Sequence, residues 1–362
     1  MERWSLDSPE PYTVALPEGS PEAPDTRVLP LPDGRVLAAR PNGGGADLVL
    51  LYPSGAGTGS LAVGSLAGTE VRLLPASAVG AFATAYDGSA TEVWRVCGAS
   101  DRVSAGGLVR LARVPGRCTG GVWLDRDGRL LALDRELGGR TKSVAVDLGS
   151  GTVSPLLQLS EASDDRLLLA EPDSGLMLVR SDATGEDRLG WGVLGSRHPV
   201  RFPEALRLPG ALLTPVAAQP GQILTPEAAV VALRCEVPGG ERSLALWRPG
   251  GRTLHWRAVP RDWLGPVALW LPSAPLRLPA APRPSSPTTP LPPTAPTAPT
   301  APTSLAFRAL PPGRPPRSAY PCPPRRTGAG TPRRWRRWSA VRAGPRCPAS
   351  GLRRCCRCSR RR

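Results

Sequence analysis

The stretch SDDRLLLAEPDSGLMLVR, Ser163 to Arg180, reads as strand, tight turn, strand. Asp164 and Asp165 lead into the apolar run Leu167–Ala170. Pro172 to Gly175 supply turn chemistry, and Leu176–Val179 resumes the run. Apolar runs of four bounded by Asp, Gly and Pro have the length of strands, not of helices.

The same phrase recurs on both sides of this hairpin. LPDGRVLAAR places Asp33-Gly34 before Val36–Ala39, and LDRDGRLLALDR places Asp127-Gly128 before Leu130–Leu133. LAARPNGGGADLVLLY and LLALDRELGGRTKSVAVD each read as strand, Gly-rich turn, strand. EVRLLPASAVGAFATAYDGSATEVWRVC fits another unit. ILTPEAAVVALRCEVPGGERSLALWRPGGRTLHW offers three strands around two Pro-Gly-Gly turns. Units of roughly 40–45 residues, each worth three or four strands, are the period of propeller blades. The fold expected is all-β: a degenerate β-propeller of about six blades, with a β-sandwich or two small β domains as the alternative. SPEAPDT, PEAAVVAL and RFPEALRL are the candidate helix starts, all short. In TPEAAVVALR, Thr225 and Pro226 suit a helix start, while the Val pair suits a strand equally.

Composition agrees with a turn-rich chain. Its 362 residues contain 45 Pro and 40 Gly, and 41% are apolar, enough for a core. The formal charge of +16 is misplaced as a guide to the body. Residues 281–362 hold 18 Arg and no Asp or Glu, which leaves 28 basic and 30 acidic residues before them. The near-neutral body therefore carries no electrostatic footprint for nucleic acid or acidic lipid. Lys142 is the sole lysine. The N-terminus MERWSLDSPE has no secretory pattern, and no run approaches a membrane span. Cys97, Cys118 and Cys235 are scattered as buried thiols of a reducing compartment would be, so the expected location is cytoplasmic.

Four segments are expected: a flexible 1–24, the propeller body 25–280, a Pro/Thr/Ala low-complexity linker 281–304, and a disordered Arg/Cys/Trp-rich tail 305–362. In the tail, Arg333, Arg334, Arg336 and Arg337 interleave with Trp335 and Trp338, a pattern suited to non-specific nucleic-acid binding. Cys347, Cys355, Cys356 and Cys358 do not have the spacing of a zinc site. The tail lacks Asp, Glu, Lys, Asn, Gln and Ile, a composition that a GC-rich gene read in the wrong frame would also produce.

The body shows no catalytic constellation. Its two histidines, His198 and His255, read as structural, and Ser196 lies two residues from His198 without forming a triad. Cys118, in GRCTGGVW, reads as a buried strand-end thiol. PSGAGTGS, Pro53 to Ser60, lacks the Lys of a phosphate loop and reads as a surface turn. Asp125, Asp127, Glu161, Asp164, Asp165 and Asp182 read as turn residues. SDATGEDRLGWG stands apart: its polar run and Trp suit a loop at one mouth of a propeller. Arg180, Asp182, Glu186, Asp187, Arg188 and Trp191 are the expected partner-contact surface. No cofactor or metal is expected.

LPDGRVL, EVRLLP, VPGRCTGGVWLDRDGRLLALDR, SPLLQLSEASDDRLLLAEPDSGLMLVRSD and EDRLGWGVLGS resemble an uncharacterised actinobacterial family with a propeller-like body, over about residues 25–280. More distantly, the DGR turns are similar to TolB-like and WD40-like repeats. The resemblance implies a fold and no activity. Three function classes follow: a non-enzymatic protein-binding scaffold, which the residues favour; a hydrolase with its site at the propeller mouth; or a nucleic-acid-associated protein acting through the Arg-rich tail.

Overall fold

Strand after strand in this chain returns antiparallel to the one before it. The computed structural model describes residues 22–54, 57–98, 107–221, 225–240, 242–260, 263, 265, 268–270 and 275–279, with the backbone alone for residues 2–3 and 12–13. The expectations for the linker and the tail lie outside the described residues, as does most of the N-terminal segment. Near the N-terminus, β1 (Glu2–Arg3) and β2 (Tyr12–Thr13) form a two-residue ladder.

The described residues of the body form a series of five meandering sheets. The first contains β3 (Arg27–Pro30), β4 (Val36–Pro41), β5 (Gly45–Ser54) and β6 (Gly57–Ala67), and the second β7 (Glu70–Leu73), β8 (Gly80–Tyr86), β9 (Ala90–Gly98) and β10 (Val109–Pro115). The third contains β11 (Arg117–Trp123), β12 (Leu130–Leu137), β13 (Arg140–Asp147) and β14 (Thr152–Leu157). The fourth has three strands, β15 (Asp165–Glu171), β16 (Leu176–Ser181) and β17 (Arg188–Val193). The fifth contains β18 (Leu212–Ala218), β19 (Val231–Glu236), β20 (Ser243–Trp247) and β21 (His255–Arg257). Every sheet runs in chain order, as propeller blades do.

The chain is thus an all-β, propeller-type protein. First strands begin at residues 27, 70, 117, 165 and 212, spacings of 43, 47, 48 and 47. This period is longer than the 40–45 residues read from the turns. Five sheets stand among the described residues where about six were expected. Past β21, Leu269 and Arg277 form a one-residue antiparallel bridge among the described residues.

Burial on both faces explains why the strands read as unbroken apolar runs instead of alternating ones. In β12, Leu131 and Leu133 pack against Val93 and Val114 of the second sheet, while Ala132 packs with Leu167 and Val179 of the fourth. In β16, Leu178 faces the fifth sheet with Leu213, Val231 and Trp247, while Met177 and Val179 face the third. Each sheet therefore shares a core with the next, and no sheet could bury its faces alone. Beyond the fifth sheet, Trp263, Ala268 and Leu276 cover Leu244 and Leu246.

Polar links cross each seam inside this apolar packing. Arg35 Nη2 donates to the Gly98 carbonyl at 3.1 Å, joining the first sheet to the second. Thr91 Oγ1 donates to the Gly116 carbonyl at 2.9 Å and accepts the Cys118 amide at 2.8 Å, joining the second to the third. Asp134 accepts the Ser143 hydroxyl at 2.6 Å and the Leu167 amide at 3.0 Å, joining the third to the fourth. Arg180 Nη2 donates to the Leu213 carbonyl at 2.5 Å, joining the fourth to the fifth.

The helix candidates resolve into turns. RFPEALRL gives a single 3-10 turn, Glu204–Leu206. In TPEAAVVALR, residues 226–228 turn and β19 begins at Val231. The branched residues favour the strand because Val231 and Leu233 enter the core against the fourth sheet. Among the described residues, no helix is long and apolar enough to cross a membrane.

Candidate functional site

The fourth sheet lacks a fourth strand, and the chain handles that edge in an unusual way. Trp191 and Arg201 exchange both main-chain hydrogen bonds at 2.9 Å, so a single bridge stands where an outer strand would run. Glycine makes this approach possible: a Cβ on Gly190 would lie 2.8 Å from Phe202 Cε1 and 2.9 Å from the Arg201 carbonyl. The Arg201 guanidinium lies over the Trp191 ring, 5.1 Å from its centroid. The chain then makes the 204–206 turn and enters β18.

Between this detour and β18 lies a cleft of about 280 Å³. Leu189, Leu206 and Leu213 form its apolar floor, and all three are buried. Arg180 at the end of β16, Arg188 at the start of β17, and Arg207 after the 3-10 turn bring three guanidinium groups to it. Each meets a carboxylate. Arg180 Nη1 donates to Asp187 at 3.0 Å, Arg188 Nη2 to Glu204 at 2.8 Å, and Arg207 Nε pairs with Glu186 at 2.8 Å. The partners differ in exposure. The Arg180 and Arg188 side chains are 18% and 14% exposed, whereas Asp187 and Glu204 are 59% and 74% exposed. The arginines are held from behind by main-chain carbonyls, Arg180 by Leu213 and Arg188 by Phe202 at 3.3 Å.

Of the six residues singled out in the sequence, four line this cleft: Arg180, Glu186, Asp187 and Arg188. Asp182 and Trp191 are placed elsewhere. Asp182 accepts the Asp164 amide at 2.7 Å, capping the start of the fourth sheet. Trp191 is 3% exposed and belongs to the core shared with the fifth sheet. The sequence reading did not include Arg207, Glu204 or the leucine floor. Their signal is the Pro203 and Pro209 pair bracketing a short charged and apolar segment, which forms the 3-10 turn. The residues Arg333, Arg334, Trp335, Arg336, Arg337 and Trp338 lie outside the described residues.

The other candidates have structural roles. The Ser196 hydroxyl accepts the backbone amide of His198 at 3.1 Å, a local turn and not a nucleophile–base contact. His255 is exposed on β21. Cys118 is buried, and burial pushes its thiol up to about 11. Pro53–Ser54 and Gly57–Ser60 are the paired ends of β5 and β6. Asp125 accepts the amides of Arg129 and Leu130 at 3.0 and 3.1 Å, as a turn residue does. Asp165 departs from its turn reading: it is fully buried and bound to Lys142. Among the described residues, no group of three His, Cys, Asp or Glu is arranged to hold a metal ion.

The cleft's lining contains no Ser, Thr, Cys, His, Lys or Tyr. Its chemistry is that of paired guanidinium and carboxylate groups over an apolar floor, which suits recognition.

No protein-family model and no curated protein sequence matches the chain. Among solved structures, TolB from Acinetobacter baumannii is similar at 14% identity with a TM-score of 0.43, covering 61% of this chain and 52% of that one. Oligopeptidase B from Leishmania major is similar at 12% identity and a TM-score of 0.46, over 64% of this chain and 33% of that one. Apo prolyl oligopeptidase B from Galerina marginata gives 12% and 0.41, over 64% and 36%. The chain thus spans about half of the TolB chain and about a third of the oligopeptidase chains. All three scores are below 0.5, so the fold assignment rests on the chain's own sheets and strand order. The actinobacterial resemblance has no counterpart in these comparisons.

Proposed function

We propose that the chain is a non-enzymatic protein-binding scaffold, acting in the cytoplasm, whose contact surface is the cleft between the fourth and fifth sheets. The observation that supports this reading is the asymmetry of its ion pairs. Half-buried Arg180 and Arg188 are fixed by the Leu213 and Phe202 carbonyls, while their carboxylate partners stand in solvent. Arginine is among the residues that carry interface hot spots, and these two are preorganised beside an apolar surface. The partner would meet an apolar centre with a charged rim.

Photocrosslinking tests this. A photoreactive residue replaces Leu212, which lines the cleft and is 46% exposed, or Val79, 42% exposed in the turn between β7 and β8, as a control. A discrete protein adduct from position 212 and none from position 79 is expected in the native host. Absence of any adduct at 212 would overturn the reading.

A further inference from the structure

We infer that the cleft receives the C-terminal end of a partner polypeptide: a free α-carboxylate together with an apolar last side chain. The inference rests on the cleft being the partner surface, and it follows from how Arg180 is held. Its Nη2 is tied to the Leu213 carbonyl across the seam, so the guanidinium keeps its place with or without Asp187. Its Nη1 faces Asp187, whose side chain is mostly in water. An exposed carboxylate on a turn gains little from such a pair and is readily displaced. An incoming carboxylate would take the same Nη1 and add charge-assisted hydrogen bonds in a partly desolvated site. Arg207, 52% exposed, supplies a second cation at the rim, paired with equally accessible Glu186.

The position of the floor selects the kind of carboxylate. Leu189 stands opposite Arg180 in the β16–β17 register, and Leu213 holds Arg180 through its own carbonyl. The cation and the apolar surface therefore meet at neighbouring groups. An α-carboxylate and a side chain diverge from one Cα and match that closeness. An internal acidic residue carries its charge on a longer arm. The volume of about 280 Å³ has room for about one residue and falls below the usual range for drug-sized ligands. Capture of a chain terminus by fixed polar groups is an established recognition mode.

The full chain is titrated with a fluorescently labelled Gly/Ser hexapeptide ending in leucine, as the free acid and as the C-terminal amide, with anisotropy as the readout. The free acid is expected to bind at least about tenfold tighter than the amide, the scale of a lost charged hydrogen bond. Replacing the last leucine with serine is expected to weaken binding as well. Asp187→Asn removes the internal competitor and is expected to tighten binding of the acid several-fold. Arg180→Gln is expected to abolish the preference for acid over amide. If Arg180→Gln does not fold, Asp187→Asn still decides, because Asp187 is exposed. Equal affinity for acid and amide overturns the inference, as does binding of neither peptide by wild type and Asp187→Asn. In those cases, a crosslink from position 212 leaves the cleft as a partner surface that reads something other than a chain end. Loss of that crosslink too removes both.

Discussion

Lys142 donates to the fully buried carboxylate of Asp165 at 2.8 Å across the seam between the third and fourth sheets. The ammonium also reaches the Ser160 and Ser163 carbonyls at 2.5 and 2.6 Å, so all its donors are used. Asp165 in turn accepts from the Ser181 hydroxyl at 2.6 Å, the Ser163 hydroxyl and the Leu159 amide. The sole lysine of an arginine-rich chain thus stands where a compact three-donor cation is needed, and a planar guanidinium does not offer that geometry.

Removing one partner of this pair leaves a buried charge. Lys142→Met is expected to cost about 3–5 kcal/mol, and the double change Lys142→Met with Asp165→Leu distinctly less than the sum of the singles. Urea denaturation of the four proteins in the cycle measures this. Additive costs would show that the pair is not coupled.

Two buried aspartates should respond to pH in opposite directions. Burial pushes the Asp165 carboxyl up, but Lys142, Ser181, the Leu159 amide and Ser163 outweigh it and hold it below its ordinary value. Its contribution is therefore present above an unfolded pKa of about 3.9 and lost as pH falls through the folded value. Asp134 is dominated by burial, only partly offset by Ser143, the Leu167 amide and Arg166, and its pKa is raised. Its charged form is disfavoured in the fold, so the stability it lends in acid is lost as pH rises through that raised value. Unfolding midpoints at about pH 2.5 and at pH 7 should show Asp165→Asn growing costlier relative to wild type as pH rises, because its window lies below about 3.9. Asp134→Asn should grow less costly, since both bonds to Asp134 end on Oδ1, which asparagine retains.

The seam between the second and third sheets turns on Thr91 and Gly116. Thr91→Val keeps the shape and removes the hydroxyl, leaving the Gly116 carbonyl and the Cys118 amide without their bridge. The expected cost is about 1–3 kcal/mol. Gly116→Ala should cost more: Gly116 has φ +94°, and a Cβ there would lie 2.4 Å from the Glu136 carbonyl. Thermal melts of both variants provide the ranking, and a reversed order would contradict this account of the seam.

Cys118 should be inert in the native protein. Its thiol is buried and titrates far above neutrality. Iodoacetamide at pH 7.5 followed by peptide mapping should find it unmodified until denaturant is added. Rapid native labelling would show that the second and third sheets open locally.

Much of the fold was legible because its signals are local. Asp33-Gly34, Asp127-Gly128 and Pro172–Gly175 mark hairpins through backbone chemistry that needs no distant partner. The period was less legible, because it depends on loop lengths between sheets, and the turns alone gave too short a unit. For the candidate site, the charged run before Trp191 supplies Glu186, Asp187 and Arg188 to the cleft. Trp191 itself was misjudged as surface: Gly190 and Gly192 read as loop residues, whereas in the fold they clear space for Phe202 and Val200. Arg207 and Glu204 lie beyond that loop in sequence and join the site only because the chain doubles back along the sheet edge.

The sequence by itself determined the strand-and-turn alphabet, the all-β class and the near-neutral body, since these follow from turn chemistry, run length and composition. Tertiary structure alone decided which faces of the sheets meet and where Lys142 finds Asp165. It also decided that Arg180 is braced by the Leu213 carbonyl of the next sheet. Those relationships join residues 23 and 33 positions apart, and they arise because each sheet must bury both faces against its neighbours.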